Sequence, residues 1–304
     1  MWRTSNLLLL LLALAPLARA DERLLKQPFA SRFLPAPRTV RVYLPPSYYT
    51  EPKRRYPVLY LQDGQNVLSS AGTNLCFGWG SWELEKTVDA LTQAGKMQQI
   101  IMVAVNNSPA RYAEYCGRHH SPGTNANTAF ENYAAFVVQE LKPKIDVDFR
   151  TQPELAHTAV MGSSLGGICS LVLAWEHPDV FGGAASLSGA FQVEGTNFLN
   201  HVLRPYRGKP QPTRLYLDSG TADFTGGDDG QRLTAEVVKQ YRRIGWGKGL
   251  MQYVDAKPLK PPELEKAGLR RDKWAEAQKN QHNEFYWRLR AWRALTFLFP
   301  PAGK

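Results

Sequence analysis

Cysteine is scarce in this chain: Cys76, Cys116 and Cys169 are the only three among 304 residues. At most one pair can form, which rules out a scaffold held together by several disulfides. Long apolar runs are equally rare. Only Leu7–Leu14 is unbroken, and it is too short to span a bilayer. Nothing later is long and apolar enough to span as a helix, which leaves an uncleaved N-terminal anchor as the alternative to a removed signal. No cysteine follows the run, which argues against a lipid anchor. Repeats, low-complexity tracts and nucleic-acid motifs are also missing, so neither a solenoid nor a nucleic-acid partner is expected.

The short apolar run has its own reading. Arg3 precedes it and Ala18-Arg19-Ala20 follows as a small-x-small cleavage site, the pattern of a secretory signal. Residues 1–20 are read as a signal peptide and 21–304 as one domain, working in the periplasm or outside the cell without a stable membrane anchor. That length allows a sizeable single core. The formal charge of +10 falls to +8 once Arg3 and Arg19 are removed. Such a basic balance serves solubility and can favour anionic substrates. In an oxidising compartment Cys76 and Cys116, both in loops, are the expected disulfide, and Cys169 reads as a buried small hydrophobe.

Strand-like and helix-like segments alternate along the chain. "RTVRVYLP" (38–45) has period two, and "YPVLYLQDG" (56–64) and "QIIMVAVNN" (99–107) are apolar runs ending in turn residues. "TAVMG", "GAASLSG", "TRLYLDSG" and "MQYVDA" continue the series. Between them, "SWELEKTVDALTQAG" suggests a helix capped by Ser81 and ended by Gly95, and "AFENYAAFVVQELKPKI" aligns Phe130, Tyr133, Phe136, Val137 and Leu141 on one stripe. "GQRLTAEVVKQYRRIG" and "NEFYWRLRAWRALTFLF" complete the helices. This alternation predicts an α/β protein with a mostly parallel sheet covered on both faces. The charged stretch 257–280 breaks the rhythm and suggests a helical flap that could offer cations to a substrate or simply face solvent.

One corner carries chemistry. Gly162-Ser163-Ser164-Leu165-Gly166 is a G-x-S-x-G pentapeptide between a strand and a helix. In that context the middle residue sits on a strained turn, with its hydroxyl exposed at a helix N-terminus. Glycines on either side let the chains pass. Ser164 is the candidate nucleophile, Ser163 should point away, and the Leu165 amide can face a developing oxyanion.

A serine needs a base, and the base needs a carboxylate. In α/β-hydrolases these follow in the order Ser, acid, His. Of the histidines after Ser164, His177 reads as a helix cap, His201 lies away from any strand end, and His282 opens the last helix after the last strand. His282 is therefore the candidate base. The acid should sit just past a strand edge, which points to Asp223. Asp218 reads as structural, and the Asp228–Asp229 pair as a solvated or calcium-like turn. Gln65, in "DGQN" after an early strand, is the candidate second oxyanion donor, although the same four residues suit a plain turn. This set calls for no cofactor and no metal.

The blocks "YPVLYLQDGQN", "IIMVAVNNSPARYAEY", "AVMGSSLGGICSLVLAWEHPDVFGGAASLSGAF", "LYLDSGTADF" and "HNEFYWRLRAWRALTFLF" together resemble the Putative esterase family of α/β-hydrolases, relatives of esterase D, feruloyl esterases and enterobactin-type siderophore esterases. The resemblance implies an α/β-hydrolase fold, a triad on Ser164, Asp223 and His282, and amide donors at Gln65 and Leu165. It places Arg111 of "RYAEY" beside the pocket, either on substrate or paired with Glu114. The implied activity is hydrolysis of a small-molecule or glycan-linked ester. Export, basic charge and abundant aromatics lean toward an anionic catecholate siderophore, with feruloyl or acetyl polysaccharide esters and acyl transfer kept open.

Overall fold

The computed structural model describes residues 23–69, 76–117, 128–223, 225–255, 257–279 and 282–302; residues 1–20, read above as a signal peptide, lie outside them. Eight strands form one sheet in the order β1-β2-β4-β3-β5-β6-β7-β8. They are Leu24–Phe29, Arg38–Tyr43, Val58–Leu61, Ile101–Val105, Thr158–Ser163, Gly183–Leu187, Arg214–Ser219 and Met251–Asp255, numbered along the chain. β1 and β2 pair antiparallel, as do β2 and β4, and all later pairs are parallel. This is the α/β-hydrolase arrangement. Seven strands match the apolar runs of the sequence. The eighth, β1, carries no such signal because it is an edge strand with Leu25, Lys26 and Pro28 exposed and only Phe29 buried, so its composition is mixed.

The continuous apolar runs exist because alternate residues enter two cores. Ile101, Val103 and Val105 of β4 join a cluster with Val58, Tyr60 and Val160. Met102 and Ala104 face the opposite cluster, with Leu59, Leu61 and Met161. The first cluster is closed by the helix Leu165–Glu176 and by the helical run from Thr128 to Asp148, whose stripe Phe130, Tyr133, Phe136, Val137 and Leu141 is buried as its spacing required. The second is closed by the helices Leu84–Gln93 and Glu284–Leu298.

Two local expectations fail. The helix after Ser81 begins at Leu84, with Glu83 in the cap position at φ 47°. Ser81 is buried, and the next residue is tied by Trp82 N–H to Asn66 O at 3.0 Å, so the chain is not yet free to turn. Cys76 and Cys116 are not joined in the expected disulfide. They sit in different apolar clusters: Cys116 in the large core behind the sheet, Cys76 against Trp79 and Phe285. Burial and the neighbouring Glu284 carboxylate push the Cys76 thiol well above its usual range. Cys169 is buried on the helix Leu165–Glu176.

Candidate active site

β5 ends at Ser163, and the chain turns at Ser164 with φ 54° and ψ −123°. The turn leaves no room for side chains beside it. A Cβ on Gly162 would lie 2.5 Å from the Gly166 carbonyl oxygen, and one on Gly166 would lie 2.9 Å from Gln62 Cβ. Ser164 N–H donates to Leu187 O at 3.0 Å, and its carbonyl accepts from Ala190 N–H at 3.0 Å, which locks the corner to the end of β6. The helix then starts at Leu165, whose N–H, at the first helical position, has no acceptor within the helix. Ser163, expected to point away, is buried yet borders the cavity beside Ser164.

His282 meets Ser164 with Nε2 2.9 Å from Oγ. Its ring stands edge-on to Trp287 at 5.1 Å between centroids. The other ring nitrogen, Nδ1, contacts Asp229 Oδ1.

The carboxylate facing the histidine is thus Asp229, and the assignment of Asp223 is corrected. Asp223 Oδ1 is occupied by its own loop, accepting from Thr225 N–H at 2.8 Å, Thr225 Oγ1 at 2.8 Å and Gly227 N–H at 2.7 Å. Against the upward pull of partial burial, those hydrogen bonds hold its carboxyl below the usual range. Asp229 has a side chain with no exposed surface, φ 51°, and an Oδ2 that accepts from Gly220 N–H and from Ser188 Oγ at 2.6 Å. Its neighbour Asp228 accepts from Arg232 N–H at 3.1 Å and faces solvent, so the adjacent aspartates do different things. The sequence signal was there but faint: an acid immediately before a helix that returns to the sheet.

Asp218 is structural, as its place inside the strand end suggested. Burial raises its carboxyl above the usual range, while Arg290, at 3.1 Å and 3.2 Å, and the Tyr216 hydroxyl, at 3.0 Å, pull the other way. The spacing of "RYAEY" left open an Arg111–Glu114 pair, and neither partner chooses it. Glu114 binds Arg38 at 2.7 Å in the core, and Arg111 grips Asp63 with both prongs at 2.6 Å and 2.7 Å. Burial works to lower the Arg111 pKa, but the Asp63 hydrogen bonds and charge outweigh it and raise it.

Ser164 and His282 border two cavities of about 300 Å³ each. One is walled by Trp79, Trp82 and Trp287, with Arg111, Asp63, Asn66, Asn107, Asn283 and Glu284 among its polar groups. Burial pushes the Glu284 carboxyl above its usual range. The other is polar and holds Asp223, Thr225 and Gln192. Gln65 does not border the first cavity, although Asp63 and Asn66 on either side do; its side-chain oxygen accepts from Asn107 N–H at 3.1 Å. None of residues 257–279 borders it either. Among the described residues, no cluster of three or more His, Cys, Asp or Glu could hold a metal ion, and no helix is long and apolar enough to cross a membrane.

The family model described as Putative esterase matches residues 31–289. The chain belongs to this family and is an esterase. It is 22% identical to the uncharacterised protein YbbA of Bacillus subtilis (strain 168) over 211 residues, 68% of this chain and 76% of that one. Among solved structures this esterase is similar to a ferulic acid esterase, with a TM-score of 0.63 and 18% identity over 91% of this chain and 97% of that one. It is also similar to the enterobactin esterase of Shigella flexneri, with a TM-score of 0.64 and 18% identity over 90% of this chain and 58% of that one. At such identities the likeness is one of fold.

Proposed function

We propose that the chain is a secreted serine carboxyl-ester hydrolase in which Ser164 is the nucleophile, His282 the general base and Asp229 the orienting acid. The observation that carries this reading is the 2.9 Å contact from Ser164 Oγ to His282 Nε2, with a fully buried carboxylate on Nδ1. Ser164 Oγ attacks the ester carbonyl while its proton passes to Nε2. Asp229 stabilises the imidazolium that forms and fixes the tautomer with Nε2 free to accept. The tetrahedral oxyanion is met by the Leu165 amide. The second donor is assigned to the Gln65 amide, at the start of the short Gly64–Val67 helical turn whose first N–H groups have no helical acceptor. Collapse of the intermediate expels the alcohol with the proton from His282. Water, activated by the same imidazole, then frees the acid.

The tryptophan-walled cavity suits a ring-bearing ester. Its guanidinium, Arg111, is already neutralised by Asp63, and Glu284 adds a carboxyl, so the wall favours an uncharged aromatic ester over an anionic catecholate. An acyltransferase using the same triad is separated from a hydrolase by analysing products in the presence of an alcohol acceptor.

The test is a panel comprising a feruloyl ester, a p-nitrophenyl ester and ferric enterobactin, each with wild type and Ser164→Ala. The feruloyl ester is expected to give the higher kcat/KM of the two natural classes. Ser164→Ala is expected to lose turnover by several orders of magnitude, up to about 10⁶ by analogy with proteases. A folded Ser164→Ala protein with near-normal turnover defeats the mechanism, and a clear preference for ferric enterobactin defeats the substrate assignment.

A further inference from the structure

We infer that Ser188 is a positioning residue for the reaction, holding Asp229 against His282 through a hydroxyl whose proton has one destination. The inference rests on the Ser164–His282–Asp229 reading. Ser188 follows β6, is 1% exposed, and has no place in the sequence motif of the triad. Its Oγ has three neighbours: Trp287 Nε1 at 3.1 Å, Arg290 Nη2 at 2.7 Å and Asp229 Oδ2 at 2.6 Å. Indole and guanidinium nitrogens only donate. Both lone pairs of the hydroxyl are therefore taken, and its single proton must go to Asp229.

The consequence for the acid is geometric. Asp229 Oδ2 is fixed from two sides, by Ser188 Oγ and Gly220 N–H, which leaves Oδ1 to face His282 Nδ1. Of these two, Gly220 belongs to the acid's own loop and Ser188 lies outside it, after β6. Arg290 is itself held by Asp218 of β7, and both Arg290 and Trp287 belong to the C-terminal helix that also follows His282. Acid and base are thus referred to the same rigid elements, β7 and one helix, although they enter on separate loops.

Backbone conformation supports the same reading. Ser188 has φ 47°, a region that glycine occupies more readily than serine. The backbone therefore gains nothing from a serine at this position. What serine brings is the hydroxyl.

The experiment compares wild type, Ser188→Gly, Ser188→Cys and Asp229→Asn, all checked for folding by circular dichroism and assayed well below their melting temperatures. Ser188→Gly suits the backbone and deletes only the hydroxyl. It is expected to lower kcat by about 10-fold or more, well short of the ~10⁴ associated with an Asp→Asn change in a triad, with KM within about twofold of wild type. Ser188→Cys, with a weak S–H donor, is expected to fall between. The far-downfield proton resonance of His282 Nδ1–H should broaden or move in Ser188→Gly, a change that a purely structural role would not produce. A folded Ser188→Gly enzyme with kcat within twofold of wild type and an unmoved resonance overturns the inference. Should Ser188→Gly fail to fold, the Cys variant decides by the same two readouts. Asp229→Asn separates the premises: full activity there sinks the triad reading, whereas its loss beside an unaffected Ser188→Gly sinks only the role of Ser188.

Discussion

Asp229 and Asp223 lie six residues apart in one loop, and what each carboxylate already holds decides between them. Asp223 spends one oxygen on three bonds inside its own turn, while Asp229 is buried, braced on one oxygen and aimed at the imidazole with the other. Asp229→Asn is therefore expected to lower kcat by about 10⁴, the size of loss that follows when an amide stabilises the wrong histidine tautomer. Asp223→Asn should stay within a few-fold, since its turn can be held by an amide oxygen. Steady-state kinetics on one p-nitrophenyl ester decides, and the reverse pattern returns the role to Asp223. The sequence could name Ser164 because strand, glycines and helix all constrain that corner, and His282 because so few histidines follow it. It could not name the acid: three aspartates, Asp223, Asp228 and Asp229, follow one strand, and burial, which separates them, is a property of the returning loop.

Elements bring in interactions that no local pattern contains. The Asp218–Arg290 pair joins β7 to the C-terminal helix with both side chains out of solvent, and breaking such a pair costs about 3–5 kcal/mol. Arg290→Met is expected to destabilise by that order, and the loss should depend on pH. Burial already raises the Asp218 pKa in the folded state above its unfolded value. A carboxyl of that kind contributes its stability fully below the unfolded pKa and loses it as pH rises through the folded one. Without Arg290 the folded value moves further up, so the variant should be distinctly less stable, relative to wild type, at pH 7 than at pH 5. Urea unfolding at the two pH values measures this; an equal loss at both would mean that Asp218 does not take up the proton. Six of the strands legible in the sequence lie inside the sheet, and the edge strand β8 was legible through its short run MQYVD. β1 escaped because only Phe29 of it is buried, and the early start assigned to the helix after Ser81 failed because a long-range bond from Trp82 to Asn66 holds the chain extended there.

At the scale of the whole molecule, the charged stretch late in the chain is neither a free flap nor a substrate cage. Leu264 and Ala277 are buried with Trp79, Phe285 and Tyr286 in a small third cluster, and Lys273 Nζ lies 5.0 Å from the centroid of the Trp79 ring. The cations once open to a substrate role are used locally: Arg270 pairs with Asp272 at 2.8 Å and Arg271 with Glu265 at 3.0 Å, all exposed. The segment thus acts from behind, supporting a tryptophan whose other side borders the catalytic cavity. Neutralising Arg270 and Arg271 together should leave KM nearly unchanged for neutral and anionic esters alike, at low and at moderate salt, since exposed charges outside the cavity are screened over about 8–10 Å. Leu264→Ala should behave differently. Deleting a fully buried leucine from a core costs about 2–5 kcal/mol, and a small satellite cluster that can partly collapse belongs at the lower end. With its backing loosened, Trp79 no longer presents a fixed wall, so KM for a bulky aromatic ester should rise several-fold while kcat for a small acetyl ester is retained. Two results would count against this picture: a selective effect of the double arginine change on the anionic ester, which would put the segment in contact with substrate, or an unchanged KM in a destabilised Leu264→Ala protein, which would mean that the Trp79 wall stands without it.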